Sequence, residues 1–452
     1  MTPAFAVVGH PNKGKSSIVA TLAQDDSVAI SSQSGTTRTA ETLQVEVGSS
    51  CFALIDTPGF QRPSRVLQWL EQHADSAEQR QGAVRKFVED AECWQQFPDE
   101  VELLRPIMDG AAILYVVDGS RPYGSEYEAE MEILRWTGQA SMALINPIAN
   151  EQHITSWQQA LSQYFKVVKV FNAVQADFEK QLSILEAFSL LREDWQESIK
   201  ALIEEYKGQR TQQRQQSVKI LAGLLSDMCS YQVSQKVLNK DQAKQLQPVL
   251  ETQFYAQLGE QERKAHEALK DLYHYHNLDI ERSALPTEEN LFDTEKWIIW
   301  GLNRRQLLIA ATMAGAATGA VVDLGLAGHT LFMGAITGGL LAGGSAWYGA
   351  DRLADYKISG LPMGGYEARQ GPMKNRNFPY VLLNRFLFLH QALQQRTHAR
   401  RDNLRIEEGD LSARLDGLGA DQQKTLHRQM EKLSQQRTTD TLEAVLDPLM
   451  TH

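Results

Sequence analysis

The segment Gly9-His10-Pro11-Asn12-Lys13-Gly14-Lys15-Ser16 follows directly on the apolar run Ala4-Phe5-Ala6-Val7-Val8. That run has the length and composition of a buried parallel strand, and Ser16 to Leu22 can open a helix. Glycines at both ends let the backbone curl so that its N–H groups point at phosphate oxygens. Lys15 then reaches the β- and γ-phosphates, and the Ser16 hydroxyl holds Mg²⁺. The loop residues expected to hold a nucleotide are Gly9, Pro11, Asn12, Lys13, Gly14, Lys15, Ser16 and Ser17. The side chains of His10 and Lys13, at unspecified positions of the pattern, are expected to face solvent. Strand, loop and helix start coincide, so the chain is a nucleoside triphosphate binder.

A second apolar stretch, Cys51 to Ile55, runs into Asp56-Thr57-Pro58-Gly59. A carboxylate at a strand end can support the Mg²⁺ hydration shell, and the Gly59 N–H can sense the γ-phosphate. Between the two motifs lies Ser34-Gly35-Thr36-Thr37-Arg38, a polar loop suited to order around both. Thr37 is assigned the metal-sensing hydroxyl, with Thr36 as the alternative.

These motifs resemble those of the translation-factor-class bacterial GTPases of the Era, Der and MnmE type. The likeness covers about residues 1–175. It implies GTP and Mg²⁺ as ligands, with Ser16, Thr37 and Asp56 at the metal and Lys15, Thr37, Gly59 and Asn12 serving hydrolysis. Two departures stand out. The family reads guanine with Asn-Lys-x-Asp, whereas the strand Met142 to Ile145 ends here in Asn146-Pro147-Ile148-Ala149. Asn146 is kept and the carboxylate is lost, so base selectivity is expected to be weak. Asn172-Ala173 is similar to the loop that backs the base. The other departure is Phe60, which stands where Ras-like enzymes carry a water-orienting Gln, with Gln61 one place later. In MnmE-like members an Asn at the Asn12 position helps to bind K⁺, and GTPase domains pair. The resemblance therefore implies K⁺ as a further cofactor and a homodimer; a loop-shaping role for Asn12 is the alternative.

Between Phe60 and the next strand lies an insertion, about residues 62–108, with Val66, Leu67, Trp69, Leu70, Val84, Phe87, Val88 and Trp94 at helical spacings. It either couples the γ-phosphate state to a partner or the rest of the chain, or acts as a helical lid. Ala111 to Asp118 reads as a central parallel strand. The fold expected is an α/β P-loop domain over 1–177, mostly parallel with helices on both faces, followed by an all-α domain bearing an apolar helical hairpin. Within the latter, 178–300 is helical, 301–355 holds the hairpin and 356–452 packs helices back on the middle. Leu182, Leu185, Phe188, Leu191 and Trp195 recur at helical spacing, as do Val218, Leu221, Leu224 and Leu225. The polar patch Gly208 to Ser217 reads as a loop or an exposed helical turn. His274 and His276, two apart, make a poor metal pair.

The 44 residues from Leu307 to Ala350 contain no Lys, Arg or Glu, and their sole Asp and His, Asp323 and His329, fall in the middle. Arg304, Arg305 and Arg352 flank the arms, and Trp297, Trp300, Trp347 and Tyr348 gather at the same end. Small residues repeat every four: Ala311, Gly315 and Gly319, then Gly334 and Gly338, with Gly339 and Gly343. This pattern suits a hairpin entering a bilayer from the cytoplasmic side. Arms of 16 and 19 residues reach roughly 24–28 Å, short of a ~30 Å core, so burial in protein or a glycine zipper fits the same string.

Formal net charge is −11, which argues against a broad nucleic-acid surface. The cluster Arg396, His398, Arg400 and Arg401 reads, on a helix spanning Tyr380 to Arg401, as a solvated face. Leu411 to Leu446 reads as further helix. The three cysteines form neither a disulfide framework nor a metal pattern. No basic-then-apolar leader precedes the Ala4 strand, so a cytoplasmic location at the inner membrane is expected. The partners expected are GTP or GDP, the membrane, a second GTPase domain and an unidentified protein, with nucleic acid disfavoured.

Overall fold

The computed structural model describes residues 2–27, 39–281, 366–373, 375–406, 417–437 and 441–450, with 357–358, 361–362 and Leu415 besides. Segment 307–350, and the hairpin expected there, lies outside the described residues, as do Ser34 to Arg38. Among the described residues, no helix is long and apolar enough to cross a membrane. The chain forms two compact units. The first comprises Met1–Gln213, Lys270–Asp279 and Leu393–Asn403; the second comprises Arg214–Leu269, Ile280–Ala392 and Leu404–His452.

The first unit is built on a sheet of six strands: Ala4–Val8 (β1), Glu41–Val47 (β2), Ser50–Asp56 (β3), Ala112–Asp118 (β4), Ser141–Asn146 (β5) and Val167–Val170 (β6). Their order is β2-β3-β1-β4-β5-β6, and every pairing is parallel except the β2–β3 hairpin. The pleat separates two cores. Phe5 and Val7 of β1, with Leu114 and Val116 of β4, face one side, where Lys15–Ala23 (α1) and Phe178–Ser189 (α8) pack. Ala6 and Val8, with Ile113, Tyr115 and Val117, face the other. There lie the insertion helices Pro63–Gln72 (α2), Arg80–Glu89 (α3), Ala91–Gln96 (α4) and Pro98–Met108 (α5), then Glu126–Trp136 (α6) and Ile154–Leu161 (α7). Burial on both faces is why β1 and β4 are apolar throughout.

Helix Gln196–Ser230 (α9) runs unbroken through the Gln- and Arg-rich patch 208–217, which is therefore neither a loop nor an isolated turn. In the second unit, Lys240–Leu272 (α10) contributes Glu262, whose carboxylate pairs bidentately with Arg385 at 2.6 and 3.0 Å. Arg385 belongs to Phe378–Gln395 (α11), and Ala420–Ser434 (α12) and Leu442–Leu446 (α13) follow. This helical region is not purely α. Val233–Val237 (β7) pairs antiparallel with Tyr366–Gln370 (β11), while Ile280–Glu281 (β8) pairs with Leu404–Arg405 (β12) and Lys357–Ile358 (β9) with Leu361–Pro362 (β10). The sequence separation of β7 and β11 hides their pairing from any local pattern.

The expected basic face at 396–401 is corrected in part: α11 stops at Gln395, residues 396–399 fold inward within the first unit, and Arg400 and Arg401 stay exposed. Arg396 is buried and pairs with Asp402 at 3.0 Å. His398 stacks on Tyr275 at 4.2 Å between ring centroids, and its Nε2 donates to the Tyr273 carbonyl at 2.9 Å. Burial holds the His398 imidazole at about 4, against an ordinary 6.5. A histidine kept neutral by the fold stabilises it above the ordinary value, and that contribution drains away as acid carries the pH from 6.5 toward 4. Urea unfolding at pH 7 and pH 5 is expected to differ by about 2 kcal/mol through this residue, and His398→Gln should remove that acid-dependent loss.

Candidate nucleotide site

The loop between β1 and α1 is held by close backbone approaches. Gly9 has φ +143°, and a Cβ there would lie 2.3 Å from the Val116 carbonyl oxygen of β4. Asn12 (φ 60°) and Gly14 (φ 84°) adopt left-handed conformations, which Asn and Gly tolerate best. No side chain caps the N-terminus of α1, and its first turn carries no acid. The free N–H groups and the positive end of the helix dipole are thus left for an anion.

Lys15 is buried, its Nζ donating to the Gly9 and His10 carbonyls at 3.3 Å each. Burial lowers the pKa of this ammonium, while Asp56 and Glu130 pull the other way. A phosphate would add the counter-charge the pocket lacks. The Ser16 hydroxyl donates to Asp56 Oδ2 at 2.6 Å. Hydroxyl and carboxylate therefore face one another, and this hard oxygen pair fits Mg²⁺. Gly59 presses on the loop: a Cβ there would come within 2.6 Å of the Pro11 nitrogen. The Phe60 ring is fully buried in the core under the insertion, so it is not directed at a water. Thr36 and Thr37 lie outside the described residues.

The loops expected to border a base are stitched by two asparagines. Asn146 Nδ2 donates to the Lys13 carbonyl at 3.2 Å, and its Oδ1 accepts from the Ala173 N–H at 3.4 Å. Asn172 Nδ2 donates to the Pro147 carbonyl at 3.2 Å, while its Oδ1 accepts from Val174 N–H at 3.0 Å. Thr21 of α1 anchors the same loop through the Ala173 carbonyl at 2.8 Å. Ile148 and Val174 stand exposed beside these bonds, at 51 % and 46 % of their surface. Among the residues expected at the site, those described converge at one end of the parallel strands, where an open α/β sheet binds ligands.

A model described as "50S ribosome-binding GTPase" matches residues 4–146, and one described as "Domain of unknown function (DUF3482)" matches residues 158–447. The chain belongs to the DUF3482 family. Its N-terminal region is similar to GTPase Der of Symbiobacterium thermophilum, 44 % identical over 69 residues, which are 15 % of this chain and 15 % of that protein. GTPase Der of Rhodopirellula baltica is 30 % identical over 118 residues, 26 % of this chain and 24 % of that protein. The chain thus spans a quarter or less of the length of these relatives. A solved structure of Aquifex aeolicus Era bound to GDP and AlF₄⁻ covers 60 % of this chain and 89 % of its own, at 14 % identity and a TM-score of 0.28. Ahead of the DUF3482 region, then, residues 4–146 match the GTPase model and are similar in part to GTPase Der.

Lys13 corrects the expectation of a solvent-facing side chain. It is 4 % exposed, with its Nζ 4.0 Å from Asp118 and 5.8 Å from the centre of the Tyr127 ring. Burial lowers its pKa, opposed by Asp118. His10 is half-buried, its Nδ1 2.9 Å from Glu130, whose other oxygen accepts from the Tyr115 hydroxyl at 2.9 Å. The acid Glu130 completes the stripe Tyr127, Glu130, Met131 and Leu134 on α6, at core spacing. An acid in an apolar stripe was the one available signal of a buried polar network beneath the phosphate loop. Asp26, just past α1, is a further residue that no motif marks. Its carboxylate accepts from the His276 and Asn277 N–H groups at 2.8 and 2.9 Å, and its carbonyl from Asn277 Nδ2 and Arg401.

Because Asn146 ties the loop at Lys13 to the loop at Ala173, Asn146→Ala is expected to weaken GDP binding roughly 10- to 100-fold. With Ala149 in place of the carboxylate that reads N1–H and the 2-amino group, GTP and ITP should bind within about threefold of each other, and Ala149→Asp should favour GTP. Competition against a fluorescent GDP analogue measures both.

Proposed function

We propose that this protein hydrolyses GTP and passes its nucleotide state to its helical region. The carrying observation is the hydrogen-bonded cluster at Asp26, which sits at the entrance to segment 28–38, where the γ-phosphate and Mg²⁺ would be felt. His276, Asn277 and Arg401, its partners, come from the loops after α10 and α11, within the family-matched stretch. A rearrangement of 28–38 around nucleotide would thus reach those helices directly through the chain. In this reading Ser16, Asp56 and Thr37 hold Mg²⁺, Lys15 and Gly59 meet the β- and γ-phosphates, and Asn172-Ala173 backs the base. When GTP is bound, the metal neutralises charge on the phosphoryl oxygens. Asn12 assists K⁺ binding, and two GTPase domains meet to complete the site.

The helical region works at the cytoplasmic face of the inner membrane, with 307–350 as the apolar element that engages lipid and a protein partner reading the outcome. A second reading is a nucleotide sensor of low turnover, favoured by the buried Phe60 at the position of the water-orienting residue.

Phosphate release from GTP, ATP and ITP, in K⁺ and in Na⁺, with and without liposomes and with Lys15→Ala as blank, separates the two. The hydrolase reading expects Lys15-dependent GTP turnover, stimulated roughly tenfold or more by K⁺ and raised further by lipid. Bound nucleotide with no turnover in any mixture would replace it with the sensor.

A further inference from the structure

The insertion meets the two switch segments through one short helix. On α5, Glu100 Oε1 accepts from two consecutive backbone N–H groups, Gln61 at 3.0 Å and Arg62 at 2.5 Å. These are the residues immediately after Gly59-Phe60, where the γ-phosphate-sensing segment leaves the site. Two residues on, Glu102 Oε2 accepts from Ala40 N–H at 3.2 Å, where the segment containing Thr36 and Thr37 returns to the sheet. Register explains how one helix can serve both: β2 and β3 pair Glu41 with Asp56, so the end of one switch lies beside the start of the other.

Glu102 also faces Arg105 one turn on, at 4.0 Å, whereas Glu100 has no such ordinary reason for its place. Glu100 is fully buried, and Oε2 has no hydrogen-bond partner among the described residues. It occupies a core position of the stripe Glu100, Leu103, Leu104 and Ile107, where an apolar side chain would pack without desolvating a charge. Its compensation is the pair of switch N–H groups and the N-terminal turn of α5, which favours an anion. The same segment is gripped twice more. The Arg62 guanidinium lies 5.4 Å from the centre of the Phe97 ring, at the start of α5, and Phe60 is buried in the insertion's core.

We propose that α5 clamps the backbone at two edges of the site, after Gly59 and just before β2, with Glu100 and Glu102 as positioning residues for hydrolysis, so that the 63–108 insertion is the element coupled to the γ-phosphate. This rests on the hydrolase reading for its rate effects, though not for its conformational ones. Tension at either edge, after Gly59 or before β2, is then borne by a single helix.

The test combines single-turnover GTP hydrolysis, binding of a fluorescent GDP analogue, and amide hydrogen exchange in GDP and in the β,γ-imido GTP analogue. Glu100→Ala is expected to slow the single-turnover step roughly 10- to 100-fold while GDP affinity stays within about threefold. Glu100→Gln, which keeps a carbonyl acceptor for Gln61 and Arg62, should recover most of the rate. Glu102→Ala, at a partly exposed position that tolerates truncation, should slow the same step and, together with Glu100→Ala, give less than the product of the two effects. Amides of Ala40, Gln61 and Arg62 should gain protection together in the GTP analogue, and Glu102→Ala should release all three. Rates within about twofold of wild type, GDP affinity lost in parallel with rate, or switches that gain protection independently would each overturn the clamp. If wild type does not turn over, the hydrolase reading fails, and the exchange data alone decide the clamp.

Discussion

Everything at the nucleotide site hangs on how closely β1 lies against its neighbours. Gly9 ends that strand against the carbonyl of Val116, an approach that any Cβ would block. The backbone must then turn up and away from the sheet, through the left-handed Asn12 and Gly14, and enter α1 with its first N–H groups free. A loop set this way is rigid because both cores of the sheet press on β1, Phe5 and Val7 from one face and Ala6 and Val8 from the other. The anion site is therefore a by-product of strand packing, and the lysine, serine and aspartate around it inherit their positions from that packing.

Around this centre, carboxylates tie the bordering segments through backbone N–H groups. Asp26 receives two N–H groups at the exit of α1, Glu100 receives two after Gly59, and Glu102 receives one before β2. A carboxylate accepting main-chain N–H bonds is directional and charge-assisted, and it can be remade in a new place without repacking a core. The base loops are different. Asn146 and Asn172 join three backbone segments into a static frame, and the base-reading carboxylate is missing from it.

The buried polar residues divide by what satisfies them. Glu130 and Tyr115 satisfy one another beneath the phosphate loop, and Arg385 and Glu262 do so in the second unit. Burial lowers the pKa of both Lys15 and Lys13, and an anion or acid brought close opposes that shift. That asymmetry marks the phosphate loop as a place built for a ligand, whereas the Glu262–Arg385 pair is already complete.

By itself, the sequence determined the nucleotide-binding half of this protein. Strand, glycine loop and helix start are adjacent in the chain, so their chemistry is written locally, and Lys15, Ser16, Asp56, Gly59 and Asn146 could be named from it. The strands β1 and β4 were legible for the same reason, since burial on both faces leaves an unbroken apolar run. Tertiary structure alone decided what faces these residues. Lys13 turned inward because Asp118 and Tyr127 arrive from other strands and helices, and the basic run at Arg396 turned inward because α11 ends early. The pairing of β7 with β11 and the grip of α5 on Ala40, Gln61 and Arg62 depend on contacts distant in sequence. Local pattern fixes which residues can form an element; only three-dimensional proximity fixes which charge meets which backbone.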